Sequence, residues 1–317
     1  MAKPKKLLVV VDPTASFHPA IERASWLARH TAAVVELFIS DYVPHLADKP
    51  SHGTSTSPAQ AQAQAALLDR HRQRLQQLAA PLRDAGLTVD VDVRWDYPLH
   101  DSIVRKAVDS GADFVIKDTH FHSVLKRSIF SNTDWSLIRN CGATLWLVKP
   151  RPPGQKPCFV AAVDPLHERD KPADLDSRIL STAKELGGAL GGEVHVFHAY
   201  DVMAAIAIST DSMTMPIALP MNDLADAMRA EHTDAVESFC KRHGIPADRT
   251  HIHQGGTRPL LMALTEQLRA DAVVMGAISR SGLKGLFLGN TAEDVLDRLH
   301  CDLVIVKPEG FRAILPS

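Results

Sequence analysis

The stretch KKLLVVVDP at residues 5–13 indicates a duplicated fold, because the chain repeats it as KPCFVAAVDP at residues 156–165. Each copy is a short apolar run that follows a lysine and ends in Val-Asp-Pro. The closing segments repeat in the same way, as CGATLWLVKP at 141–150 and HCDLVIVKP at 300–308. Two segments with matching beginnings and matching ends indicate a duplicated domain.

A single shift of 158 residues aligns the late parts of the two halves without a gap. The aligned pairs include Asn132-Thr133 with Asn290-Thr291 and Lys149-Pro150 with Lys307-Pro308. Between the halves, KPRPPGQKP at 149–157 is rich in proline and polar residues, which is typical of a linker. We therefore predict one domain over residues 1–152 and a second over residues 153–317, with the boundary near residue 154.

Short apolar runs alternate with helical patterns in both halves, which predicts an α/β fold. We predict strands at 5–12, 33–40, 88–94, 113–117 and 144–148, and at 157–163, 193–199, 249–254, 271–275 and 302–306. Helical patterns cover 59–87, 174–189, 222–243, 258–269 and 290–299. Continuous apolar strands separated by helices are typical of parallel sheets that are covered on both faces. The prediction is two tandem Rossmann-like domains, each a five-stranded parallel sheet flanked by helices.

The composition narrows the class of protein. A formal net charge of −2 over 317 residues disfavours a nucleic-acid surface built on positive charge. No apolar stretch is long enough to span a bilayer, and the apolar run near the N-terminus ends at Asp12, as a buried strand does. The four cysteines show no CxxC spacing, which favours a reducing compartment. We therefore expect a cytoplasmic protein that contacts neither membrane nor nucleic acid directly.

The ligand is expected at one edge of each sheet. In open α/β sheets, ligands bind outside the carboxyl ends of the strands, where the strand order reverses. This rule points to Asp12 and Asp164, which follow the first strand of each half. It also points to MGAISRSGLKGLFLGNTAED at 275–294, which follows the fourth strand of the second half and contains four glycines.

The glycine-rich stretch has two interpretations. Gly276 would let the backbone turn close to a ligand, and Gly289, Asn290 and Thr291 would open a helix whose first N–H groups can bind a phosphate. Alternatively, the stretch is a flexible loop followed by an ordinary capping box of Asn290 with Glu293. The residues alone leave both interpretations open.

The duplication, the Val-Asp-Pro strand ends and the block from residue 275 to 308 resemble the universal stress protein family, in its tandem two-domain form. The resemblance implies the adenine nucleotide alpha hydrolase-like variant of the Rossmann-like fold. Nucleotide-binding members carry Gly, two residues, Gly, nine residues, then Gly with Ser or Thr. The resemblance implies that ATP or another nucleotide-like ligand, with Mg²⁺ only as its companion, would contact Asp164, Gly276, Ser279, Gly289, Asn290 and Thr291.

Two of these positions depart from the family pattern. Ser279 replaces the middle glycine, and Asn290 stands where Ser or Thr is usual, with Thr291 next to it. The first half departs further, because its aligned loop at 117–134 has Asp118, Phe121 and Ser131 in place of Gly276, Ser279 and Gly289. A carboxylate repels phosphate and a phenyl ring fills space. We predict that the first domain has lost its nucleotide site.

Other chemical signals are weaker. Asp118, His120 and His122 could hold a metal, but their alternation within a loop favours a polar surface cluster. His251 and His253 alternate on a predicted strand and are expected to share one side of it. Two SxxK matches lack the accompanying motifs of penicillin-binding enzymes. Since no nucleophile–base pair is recognisable, we predict no catalytic residues and no metal site.

Residues 201–228 hold five of the eight methionines and few charges. Methionine adapts to irregular apolar shapes, so this segment could be a lid over a hydrophobic pocket. The alternative is that it packs against the other domain. With the lid, the chain would be an enzyme or carrier for a small molecule with an apolar or acyl portion.

The leading hypothesis is a non-catalytic or weakly catalytic stress-response protein. The resemblance implies a cytoplasmic role in bacterial survival under stress, including DNA damage. We expect the two domains to pack as an internal pseudo-dimer, and a homodimer of whole chains is possible.

Overall fold

A computed structural model describes residues 4–46, 57–119, 131–152, 154–166, 174–202, 221–277 and 299–315. The chain divides into two compact units. The first unit comprises Ala2–Pro153 together with Gly310–Ser317, and the second unit comprises Gly154–Glu309. The return of the C-terminal residues to the first unit is a feature that the sequence analysis did not predict.

The first unit is a parallel sheet with the strand order β3-β2-β1-β4-β5. Its strands are β1 (Lys6–Val10), β2 (Val34–Asp41), β3 (Val89–Trp95), β4 (Phe114–Asp118) and β5 (Thr144–Val148). Its helices are α1 (Pro19–Thr31), α2 (Pro58–Asp84), α3 (Leu99–Ser110) and α4 (Asn132–Asn140), with a short 3₁₀ helix at Pro44–Leu46. The strand order reverses between β1 and β4.

The second unit repeats this topology with the strand order β8-β7-β6-β9-β10, again all parallel. Its strands are β6 (Cys158–Ala162), β7 (Glu193–Tyr200), β8 (Thr250–Gln254), β9 (Ala272–Gly276) and β10 (Asp302–Val306). Its described helices are α5 (Leu175–Leu190), α6 (Met221–Arg242) and α7 (Thr257–Gln267), with a 3₁₀ helix at Ala247–Arg249. The strand order reverses between β6 and β9.

The predicted fold is confirmed. All ten predicted strands are present, with their ends within two residues of the prediction. The apolar runs form the cores, and β1, β4, β5 and β10 are almost entirely buried, as expected for strands covered on both faces. The predicted helix at 290–299 and most of the methionine-rich segment 201–228 lie outside the described residues.

The long helix α2 shows how sequence dictates local structure. It begins at a capping box, in which the Ser57 hydroxyl accepts from the Gln60 N–H and the Gln60 side chain accepts from the Ser57 N–H. Only His71, Leu75, Ala79 and Leu82 are buried along its length. Most of the remaining residues are exposed or half-buried, so the helix covers the sheet with a narrow buried stripe, as its polar composition predicts.

The C-terminal residues contact the turn between α4 and β5. The Ile314 N–H donates to the Asn140 carbonyl at 3.1 Å. Gly142 leaves room for this contact, because a Cβ there would lie 3.3 Å from the backbone nitrogen of Ala313. Within the described part of the chain, no helix has the length and hydropathy needed to cross a membrane.

Candidate functional site

The carboxyl edge of the second sheet brings together two of the predicted site residues. Asp164 follows β6 and Gly276 ends β9, so both lie where the strand order reverses. The Asp164 N–H donates to the Asp176 carboxylate at the start of α5, at 3.1 Å. This bond fixes the backbone while the Asp164 side chain remains 40% exposed. Oδ1 of Asp164 is itself buried, so the side chain is only partly accessible at the edge where the fold places ligands.

Gly276 has a packing role that the sequence analysis missed. A Cβ at this position would lie 2.6 Å from Leu175 Cδ2 and 3.2 Å from Ile179 Cδ1, both on α5. Gly276 does not have a positive φ, so its backbone conformation does not itself require glycine. The absence of a side chain lets α5 approach the end of β9 closely. The other four predicted residues, Ser279, Gly289, Asn290 and Thr291, lie outside the described residues.

A wall of three rings stands beside Asp164. His198 Nδ1 lies 3.8 Å from Asp164 Oδ1 and donates to the Val163 carbonyl at 3.0 Å. Because a carbonyl oxygen only accepts, the neutral His198 ring must accept at Nε2, and His232 Nδ1 donates to it at 2.8 Å. The Tyr200 ring stacks on His232 with a centroid separation of 4.4 Å.

These ring contacts join two elements that are distant in sequence. His198 and Tyr200 alternate along β7, whereas His232 comes from α6. Alternation along a strand could have placed His198 and Tyr200 on one face. The position of His232 depends on how α6 packs on the sheet, and no local pattern reveals it. The result is a buried, hydrogen-bonded stack of rings next to the partly exposed Asp164 side chain.

The corresponding edge of the first unit contains a cavity of about 300 Å³. Its lining residues include Asp12, Asp41, Lys117, Asp118 and Ser131. Lys117 Nζ lies 2.9 Å from Asp134 Oδ1 and donates to the Asp118 carbonyl. The cavity thus carries more carboxylates than cations among its lining residues.

Carboxylates of the first unit close two helix N-termini at this edge. Asp118 Oδ1 accepts from the Ala20 N–H near the start of α1 at 2.6 Å. At the start of α4, Ser131 and Asp134 form a capping box, with the Ser131 N–H donating to Asp134 Oδ2 at 2.8 Å. Free N–H groups at helix N-termini attract anions, and here the protein supplies the anions itself. The predicted loss of the first nucleotide site stays a prediction.

Two of the other predicted histidine positions, His251 and His253, are described by the structure, and two, His120 and His122, are not. His251 and His253 share one side of β8, with ring centroids 6.5 Å apart and nearly parallel planes. His251 Nε2 lies 3.0 Å from His195 Nδ1 on β7. His120 and His122 lie outside the described residues. Among the residues that are described, no group of three or more His, Cys, Asp or Glu side chains has a metal-binding arrangement.

Comparisons with known proteins agree on one family. The family model of the universal stress protein family matches residues 3–149 and again 170–307. Universal stress protein E of Escherichia coli strain K12 is 30% identical over 318 aligned positions, covering 98% of this chain and 96% of that protein. A universal stress protein E homolog of Haemophilus influenzae is 24% identical and covers 96% of this chain and 97% of the homolog.

Solved structures show the same two-domain fold. A functionally unknown protein of Pseudomonas aeruginosa PAO1 matches with a TM-score of 0.74 and 25% identity, over 96% of this chain and 93% of that one. A universal stress protein of Archaeoglobus fulgidus matches with a TM-score of 0.63 and 15% identity, over 95% of this chain and 98% of that one. The second likeness supports the fold alone.

Proposed function

The chain belongs to the universal stress protein family, and on that premise we propose that it is a stress-response protein whose second unit binds an adenine nucleotide. The family relationship itself supports the stress-response role. The nucleotide would sit at the carboxyl edge of the second sheet, between Asp164 and the glycine-rich stretch that begins at Gly276. The proposed role is binding rather than catalysis.

The partly exposed Asp164 side chain is the observation that carries this proposal. It lies at the reversal of strand order, 40% exposed, and next to the ring wall of His198, His232 and Tyr200. A carboxylate can accept hydrogen bonds from an exocyclic amine or a ribose hydroxyl of a nucleotide. The proposal assigns the phosphates to Ser279, Gly289, Asn290 and Thr291, on the sequence resemblance.

The contrast with the first unit supports the choice of the second. In the first unit, Asp118 and Asp134 occupy helix N-termini at the equivalent edge. A phosphate would have to displace a carboxylate or lie beside one, and both are unfavourable. We therefore assign nucleotide binding to the second unit alone.

The proposal includes a cytoplasmic site of action and a contribution to survival after DNA damage. Both rest on the family resemblance. The expected internal pseudo-dimer of the two domains likewise stays a prediction.

Replacing Asp164 tests the site directly. Asp164→Ala should weaken ATP binding roughly 10- to 100-fold, since hydrogen bonds to a charged group contribute about 1.5–3 kcal/mol. Titration calorimetry with ATP measures this, and thermal melting with and without ATP reports the linked stabilisation. Asp12→Ala, at the equivalent strand end of the first unit, is the matched control and should leave ATP binding unchanged.

Two results would overturn the proposal. One is ATP binding that persists unchanged in Asp164→Ala and also in Gly289→Asp, which adds a carboxylate to the predicted phosphate loop. The other is wild-type protein that shows no stabilisation by ATP and whose denatured extract contains no adenine nucleotide by mass spectrometry. Adenine nucleotide in the wild-type extract and its loss in both variants would support the proposal.

A further inference from the structure

The second unit contains a cavity whose lining residues do not include Asp164. It has a volume of about 690 Å³ and runs between α6 and the edge strand β8. Side chains of α6 form one wall, including Thr233 and Cys240, and side chains of β8 form the other, including Thr250 and Ile252. A volume of this size is in the range of cavities that hold small organic ligands.

The first unit differs at the corresponding place between helix and edge strand. There, α2 contacts β3, and Leu75 and Ala79 of α2 are fully buried. Arg83 of α2 also donates from Nε and Nη2 to the Val89 carbonyl, at 3.0 and 2.7 Å, and so ties the helix end to the strand. Four residues, 85–88, connect α2 to β3.

The connector of the second unit is longer. Seven residues, 243–249, link α6 to β8 and include a 3₁₀ helix. Ile245 and Ala247 of this connector line the cavity. The longer connector thus supplies part of the wall of the cavity.

The chemistry of the wall points to one class of ligand. Ile245, Ile252 and the Tyr200 ring provide apolar surface. The charged lining residues are Arg229, Lys241 and Glu237, so cations outnumber anions. Throughout the described chain, Lys241 forms no ion pair within 4 Å, and Arg229 has only a long contact of 3.7 Å to the exposed Asp226. Both cations are therefore available to an incoming anion.

We propose that this cavity binds a small organic anion with an apolar or aromatic body. The body would lie against Ile245, Ile252 and Tyr200, and the negative group would face Lys241 and Arg229. Asp164 and Gly276 are not among the lining residues, whereas Tyr200 belongs both to this lining and to the ring wall beside Asp164, so the two proposed sites adjoin at Tyr200. Failure of one proposal leaves the other standing, because probe binding and ATP binding are measured separately.

A matched pair of fluorescent probes tests the proposal. Anilinonaphthalene sulfonate carries an aromatic body and a negative group, and N-phenylnaphthylamine has the same body without the charge. Both brighten in apolar surroundings. The wild-type protein should bind the sulfonate more tightly than the neutral probe, and ATP should not displace it.

Variants locate the two parts of the ligand. Thr233→Phe, on the helical wall, should fill the cavity and reduce the binding of both probes at least ten-fold. Thr250→Phe does the same from the strand wall, and it provides a second filling variant if the first does not fold. Lys241→Gln should weaken only the sulfonate, about five-fold. Arg242→Gln is the matched control, since it removes the neighbouring charge on the same helix outside the cavity.

Each remaining outcome counts against the proposal. Undiminished binding of both probes by folded Thr233→Phe and Thr250→Phe would place the probes elsewhere and overturn it. Equal effects of Lys241→Gln and Arg242→Gln would show a general charge effect and remove the assigned anion contact. Competition by ATP would mean that the cavity and the nucleotide site are one. Far-UV circular dichroism establishes that each variant is folded.

Discussion

The first and second units have different polar side chains at equivalent positions of their sheets. On β2 and β3 of the first unit, Glu36 and Asp92 both face Lys106 of α3, whose Nζ lies 2.8 Å from Asp92. By strand register, the positions of Glu36 and Asp92 correspond to His195 and His251 of the second unit. Lys106 corresponds to Leu264 in α7, under the 158-residue shift that also aligns the neighbouring strands.

This difference indicates that the two strand positions and the helix position changed together. Two carboxylates need the lysine between them, because burial would otherwise disfavour their charges. Two imidazoles need no such cation, since one ring donates to the other at 3.0 Å. The leucine that replaces the lysine is buried, with 4% of its surface exposed. A duplicated fold can thus diverge at a buried polar site when all partners change together.

Replacing Lys106, which bridges Glu36 and Asp92, should have the largest effect on the stability of the first unit. Lys106→Leu copies the second unit at one position only and leaves Glu36 and Asp92 without their shared cation. Lys6, 3.0 Å from Glu36, compensates in part. We expect the free energy of unfolding of the first unit to fall by roughly 3 kcal/mol. All four tryptophans lie in the first half, so tryptophan fluorescence during urea unfolding reports this unit selectively.

Transferring all three residues of the second unit to the first unit tests whether they compensate for one another. The triple variant Glu36→His, Asp92→His, Lys106→Leu transfers the chemistry of the second unit and should regain most of the lost stability. A triple variant that is no more stable than Lys106→Leu would show that the exchange depends on other neighbours. The compensation argument would then fail.

The ends of β4 and β9 offer a second, smaller test. The first unit places Asp118 there, whereas Gly276 of the second unit leaves room for Leu175 and Ile179. Gly276→Ala brings a Cβ to 2.6 Å from Leu175 and should destabilise the second unit by about 2 kcal/mol.

The matched control lies in the helix that Gly276 contacts. Gly188 of α5 has no neighbour within 4 Å of an added Cβ and no positive φ. Gly188→Ala should therefore be neutral or stabilise by up to about 1 kcal/mol. Urea unfolding followed by circular dichroism measures both variants, and a neutral Gly276→Ala would mean that α5 adjusts without penalty.

Much of the fold could be predicted from the sequence, because its signals are local. Apolar runs gave the strands within two residues, and the repeat gave the duplicated topology. The rule for open sheets also placed Asp164 and Gly276 at one edge. These inferences need only the order of the elements along the chain.

The missed features all depend on how distant elements pack. The sequence suggests that Gly276 approaches a ligand, yet its neighbours are Leu175 and Ile179 of a helix about a hundred residues earlier. The contact of His232 with His198 requires the rotation of α6 about its axis. The longer connector before β8 is visible in the sequence, but the cavity that it borders is not.

Acidification through the pH range where histidine titrates should lower the stability of the second unit. Burial and, after it, the Arg249 guanidinium hold the pKa of His195 below its ordinary value of 6.5, despite the opposing carboxylates of Glu193 and Asp248. Burial and the nearby His195 and His253 do the same to the pKa of His251. The unfolded second unit therefore binds more protons than the folded one just below pH 6.5, and its stability should fall as the pH drops through this value.

Asp92, which stands in the first unit where His251 stands in the second, should not respond in this window. Burial raises the pKa of Asp92, but the ammonium of Lys106, the Arg94 guanidinium and a backbone hydrogen bond from Val93 together hold this pKa below its usual 3.8. Unfolding followed by circular dichroism at pH 7.5 and at stepwise lower pH should show a weakening phase that tryptophan fluorescence does not share. His251→Gln should reduce this loss, whereas His100→Gln in the first unit should leave it unchanged. An unaltered pH dependence in His251→Gln would show that the His195–His251 pair does not cause it.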